Sequence, residues 1–193
     1  MAIAHHPPTA TGLDNVKLGF WTFIGSETLF FGSLISTYMV YKGASVAGPY
    51  PHEVLNIPLT SVSTFVLLMS SLAMVLALNA VHNGSRSGTL TWLMVVAVLG
   101  LIFLGIQAYE FTTFVHEGLT IKTNVFGSAF FVLTGFHGAH VSVGVLWMLT
   151  LWILVLRGRI GKQDALKVEI AGLYWHFVDV VWIAIFTLVY LIP

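Results

Sequence analysis

The chain has 193 residues, of which 57% are hydrophobic, 13% aromatic and only 8% charged. A water-soluble domain carries about a quarter of its residues as charged, so this chain cannot coat a surface facing water, and lipid must be its solvent. Eight basic residues balance eight acidic ones and there is no cysteine. This gives no basis for a nucleic-acid partner and excludes disulfides, thiolate metal sites and cysteine nucleophiles.

Taken in chain order, residues 1–16 form a polar tail, expected on the cytoplasmic side. It contains His5, His6, Pro7 and Pro8 and lacks the apolar core of a signal peptide. Residues 17–193 then read as a single domain of five transmembrane helices, since each crossing needs about 20 apolar residues. The first span, Leu18–Tyr41, is expected to act as an uncleaved insertion signal and carries Glu27 at mid-depth. The second, Pro58–Val81, is free of charge, and the third, Leu90–Val115, places Gln107 and Glu110 on one face towards its far end. The fourth, Val125–Leu156, exceeds the minimum length and holds His137 and His140. The fifth, Glu169–Ile192, holds His176 and, one turn later, Asp179. Short connections make neighbouring helices antiparallel, so the expected fold is all-α, a membrane bundle of five helices.

Positive charge sets the expected orientation. Lys17, Arg86, Arg157, Arg159, Lys162 and Lys167 fall on one side and only Lys42 and Lys122 on the other. The N-terminus is therefore expected in the cytoplasm and the C-terminus outside. Small residues four apart (Gly32 and Ser36, Ala73 and Ala77, Gly135 and Ala139, Gly138 and Ser142) are read as helix-packing faces.

Ionisable groups within a span are costly, so each must turn inward and find a partner. His137, His140, His176 and Asp179 are expected to form one structural polar cluster, with Glu27 at its edge or in a nearby cleft. Gln107 and Glu110 form a second layer nearer the outer surface, and Tyr109 and Glu117 lie close to that interface. Paired imidazoles suit several metals. With no cysteine and no HExxH pattern, however, the reading is a helix-to-helix hydrogen-bond network with no metal and no catalytic residue. For Glu27 three readings stay open: a neutral and reactive carboxyl, a lipid contact, or a helix contact. The six tryptophans are read as core or interface anchors, and no lipid-site role is read for Trp21 or His52.

At these residues a resemblance enters. Residues 127–141, GSAFFVLTGFHGAHV, and residues 174–182, YWHFVDVVW, are similar to signature segments of cytochrome c oxidase subunit III. Residues 25–31, GSETLFF, and 105–111, GIQAYEF, agree in order and spacing. The resemblance runs from about Lys17 to the C-terminus and is to the short, five-span bacterial type. It implies a non-catalytic subunit of a proton-pumping haem–copper oxidase in the bacterial cytoplasmic membrane. The complex reduces oxygen to water, with cytochrome c the expected electron donor. The haems and copper would lie in partner subunits I and II, further small subunits could be present, and this chain would bind no redox cofactor. It would hold phospholipid, stabilise subunit I and support proton uptake. Glu27 matches the family's membrane-embedded, carbodiimide-reactive glutamate, and Glu110, His137, His140, His176 and Asp179 fall on matching motif positions. Longer members carry an extra N-terminal pair of spans flanking the lipid cleft, so here that cleft would be open or covered by another subunit. The alternatives are subunit III of a quinol oxidase, an accessory subunit of a nitric oxide reductase, and a stand-alone transporter using Glu27 and Asp179. The lack of internal repeats and broken helices counts against the transporter.

Overall fold

A computed structural model describes residues 15–45, 48–49 and 55–192. Most of the expected tail, and His52, lie outside the described residues. Five helices are long and apolar enough to cross a membrane, and no strand occurs among the described residues. They are α1 (Asn15–Tyr41), α2 (Ile57–His82), α3 (Arg86–His116), α4 (Val125–Leu156) and α5 (Ala165–Ile185). A short 3₁₀ turn, Lys162–Asp164, leads into α5, which continues as a π-helical segment, Phe186–Leu191.

Local chemistry fixes the ends. Asn56, Ser85 and Asn124 cap the N-termini of α2, α3 and α4 by accepting hydrogen bonds from the amides of Leu59, Gly88 and Gly127. The Ser85 cap explains why α3 begins a full turn before the Leu90 expected from hydropathy. Helices α2, α3 and α4 each end at a glycine in the left-handed region, Gly84, Gly118 and Gly158. The next amide reaches back five residues in all three: Ser85 to Ala80, Leu119 to Phe114 and Arg159 to Leu154, at 2.8–2.9 Å. These are Schellman closures, which satisfy carbonyls left open at a helix end.

Hydroxyl side chains within the spans are satisfied locally. On α1, Thr22, Thr28, Ser33, Ser36 and Thr37 each donate to a carbonyl three or four residues back. Such back-bonding lets exposed hydroxyls sit in a medium without water. The outward faces of the helices are otherwise Leu, Val, Ile and Phe, with Leu29 78% and Leu146 64% exposed. This is the all-round apolar character of a lipid-facing bundle.

Helices α2, α3, α4 and α5 close into a ring, each packed on two neighbours, and α1 lies outside it against α4 and α5. Trp175 fills the ring. It is fully buried, and its indole donates to Ser70 Oγ at 2.9 Å. A Cβ at Gly100 would stand 2.8 Å from this ring and one at Gly144 2.6 Å, so both glycines are needed for the indole to fit. Two turns on, Trp182 donates to Thr64 Oγ1 at 2.9 Å and packs edge-on to Phe103. Of the small-residue pairs expected to pack, Ala73, Ala77 and Gly138 do so. Gly32 and Gly135 face open space, and Ser36 and Ala139 are exposed. The tightest approaches form around a tryptophan rather than along a small-residue stripe.

The basic end of the bundle is tied across helices. Arg86 donates to the carbonyls of Val155 and Leu156 at the end of α4, and Lys17 on α1 pairs with Glu169 on α5 at 2.7 Å. At the opposite end Lys42 donates to the carbonyl of Ile192 at 3.3 Å.

Candidate functional site

The mid-membrane polar residues come from the central turns of α1, α4 and α5, and helix rotation sends them to different neighbours. His137 turns into the ring. It is fully buried, lies against Trp182 with ring centroids 4.8 Å apart, and places Nε2 3.2 Å from the carbonyl oxygen of Val178. His140, three residues on, faces α1 instead. Its Nε2 lies 3.2 Å from Glu27 Oε2, and its Nδ1 lies 2.8 Å from the carbonyl oxygen of Phe136. His176 turns to α2, with Nδ1 2.6 Å from Ser71 Oγ. Asp179 is 3% exposed, and neither carboxyl oxygen has a hydrogen-bond partner among the described residues, although the Ser71 hydroxyl lies beside it.

The single cluster expected of His137, His140, His176 and Asp179 is therefore divided. No hydrogen bond joins these four among the described residues. Instead, Glu27 with His140 fastens α1 to α4, Ser71 with His176 fastens α2 to α5 beside Asp179, and His137 bridges α4 and α5 within the core. Glu27, expected at the cluster's edge or in a nearby cleft, is the direct partner of His140 and lines a groove. The cause is geometric: residues three apart on a helix are rotated by about 60°, which is enough to send His137 and His140 to different neighbours.

The outer layer also divides. Gln107 donates to the carbonyl of Thr134 on α4 at 2.9 Å, while Glu110 accepts from Thr60 Oγ1 on α2 at 2.5 Å. Tyr38 and Tyr190, both buried, are neighbours at this level, so α1, α2, α3 and α5 each bring one polar group to the same depth. The sequence reading missed Tyr38, Thr60, Ser71 and Tyr190. The signal for two of them was hydroxyls recurring on one face of α2 (Thr60, Thr64, Ser70 and Ser71).

The hydrogen bonds of His140 constrain its proton. A carbonyl oxygen can only accept, so Nδ1 carries hydrogen. Nε2 then faces Glu27 Oε2, the one contact that joins the two side chains among the described residues. Tyr174 buttresses the pair by donating to the carbonyl oxygen of His140 at 3.0 Å. A groove of about 550 Å³ opens beside it between α1, α4 and α5.

No group of three or more metal-ligating side chains occurs among the described residues. The arrangement is one of helix-to-helix clamps placed where a bilayer would be driest.

The family model described as cytochrome c oxidase subunit III matches residues 3–192. The chain belongs to that family. It is 44% identical to cytochrome c oxidase subunit 3 of Bacillus sp. (strain PS3) over 177 residues, which cover 92% of this chain and 86% of the relative. It is 41% identical to quinol oxidase subunit 3 of Bacillus subtilis (strain 168), covering 94% of this chain and 88% of that one. Cytochrome c oxidase subunit 3 of the same organism is 42% identical, covering 92% and 86%. The chain is thus a membrane-spanning member of an oxidase subunit III family, whose relatives are named for both kinds of oxidase.

Proposed function

We propose that this chain is the non-catalytic subunit III of a proton-pumping haem–copper oxidase in a bacterial cytoplasmic membrane, with cytochrome c as electron donor. In this reading it stabilises the catalytic subunit I and holds phospholipid on its exposed faces. It also supports proton uptake from the side bearing Lys17, Arg86, Arg157 and Arg159. The haems and copper belong to partner subunits I and II.

The observation that carries the assembly role is the seam between α2 and α5. There a partly open His176 is held by Ser71 and backed by the buried carboxyl of Asp179, which has no hydrogen-bond partner among the described residues although Ser71 lies beside it. Polar groups at mid-membrane favour contact with another protein helix over contact with lipid tails. Mild-detergent purification of the chain tests the reading. Co-elution with haem absorbance, a larger polytopic partner and a copper-binding subunit is the expected result, and a colourless chain eluting alone would overturn it. A quinol oxidase is the second reading, favoured by the relatives of that name at comparable identity. The donor-binding partner in the same purification decides between them.

A further inference from the structure

The outward faces of the bundle differ at mid-depth. Those of α3 and α4 present Val98, Leu101 and Ile102, and Val143, Leu146 and Ile153, all exposed and all as apolar as the lipid tails around them. On α5 the outward row runs from His176 through Val180 to Ile183, and beside it on α2 a row runs from Leu68 through Leu72 to Val75. Both rows follow the spacing of one helix face. An imidazole therefore stands within an otherwise apolar surface.

The ring is held in place. Ser71 Oγ lies 2.6 Å from Nδ1, so a swing of the ring towards a membrane surface would break that bond. Nε2 has no hydrogen-bond partner among the described residues and is not enclosed by the bundle. Each nitrogen of an imidazole is a donor or an acceptor in either tautomer, so Nε2 calls for a polar contact whichever way Ser71 is turned.

Depth limits what can supply it. His176 lies near the middle of the helical run Ala165–Leu191, about 15 Å from either membrane surface. A phospholipid headgroup stays at the surface, its tails carry no hydrogen-bonding group, and the hydrocarbon holds no water to stand in. A polar side chain on another membrane helix reaches this depth at no such cost, because its own backbone is satisfied within the helix. We propose that a transmembrane helix of a partner subunit packs over His176 on the α2–α5 face and sets a hydroxyl or amide side chain against Nε2. This rests on the subunit reading above. It adds the atom that is met and the chemistry of the side chain that meets it, and it leaves the outward faces of α3 and α4 to lipid.

The test uses the full chain in its own membrane, with photoreactive benzoylphenylalanine in place of Val180 or Leu72, which flank the imidazole, and in place of Leu101 or Leu146 on the other faces. Irradiation is expected to join the first two to a larger polytopic subunit and to give no protein adduct at the second two. No protein adduct at Val180 or Leu72 overturns the proposal, as do equal adducts at all four positions. A second measurement compares His176→Leu with His176→Gln, whose amide restores a hydrogen-bonding group. About tenfold weaker retention of the chain in the detergent-purified complex is expected for Leu, with recovery in Gln. Retention equal to wild type in His176→Leu overturns the proposal. If His176→Leu does not insert, the adducts decide. Failure of these tests with the haem-bearing complex still purifying overturns this surface alone, whereas an unsubstituted chain that purifies without haem overturns the subunit reading.

Discussion

Glu27 and His140 show how a single contact fixes a peripheral helix. Helix α1 is the least buried of the five, and it is held by Lys17 at one end, Lys42 at the other and the Glu27–His140 pair between them. The Lys17–Glu169 pair is about one-third exposed, and such pairs contribute about 0–1 kcal/mol. The mid-membrane pair is 19% and 21% exposed and so is screened less. Glu27→Gln is therefore expected to keep α1 in place, because an amide can donate to Nε2 while Nδ1 stays bonded to Phe136. Glu27→Leu leaves His140 with an unmet group, a cost of about 1–3 kcal/mol. Thermal unfolding of the purified complex, followed by proteolysis in the loop after α1, separates the two variants; equal stability would remove the clamp argument. Asp179→Leu is expected to lower occupancy of the chain in the complex, read by quantitative gel staining, because it alters the α2–α5 seam beside His176. Full occupancy would show that the seam does not carry assembly.

Among elements, the four-helix ring depends on the fit between Trp175 and the two glycines that admit it. A methyl at Gly100 or Gly144 would come within 2.8 Å of the indole, and overpacking of this kind costs about 1–3 kcal/mol. Gly100→Ala and Gly144→Ala are expected to lower the thermal midpoint of the complex, whereas Gly32→Ala and Gly135→Ala, with nothing within 4 Å, leave it unchanged. Gly158 makes a different point. It closes α4 at φ 68°, and nothing crowds its Cβ position. Gly158→Ala should still cost about 1 kcal/mol, through backbone strain alone. A thermal series of these five variants ranks packing against strain.

For the whole molecule, the proposed orientation can be measured cleanly because the chain has no cysteine. A single cysteine at Arg157 is expected to react with a membrane-impermeant maleimide only in inverted vesicles, and one at Lys122 only in intact cells. The reverse pattern would invert the topology and move the proposed proton-uptake side with it. The structure already groups the basic residues: Arg86 reaches the end of α4, and Lys17 the start of α5.

How much was legible in the sequence follows from what lipid does to a helix. Hydropathy and length identify five spans, and the bounds of α4 agree with its apolar run to the residue. The carboxyls and imidazoles that end up in clamps stood out because such groups are rare in hydrocarbon. The α3 start was displaced because a serine cap, rather than hydropathy, ends the loop before it. The sequence could not show which neighbour each polar group meets. Helices apolar all round carry no stripe to mark their inward face, so rotation about the helix axis is set by packing. Trp175 against Gly100 and Gly144 sets that rotation for α5, which turns His176 to Ser71 and leaves Asp179 buried. The pairing of Glu27 with His140 likewise follows from where α1 lies against α4. The sequence by itself determined the solvent, the spans and the chemically costly residues. The tertiary structure alone decided their partners, because in lipid close packing, rather than the expulsion of water, chooses which faces meet.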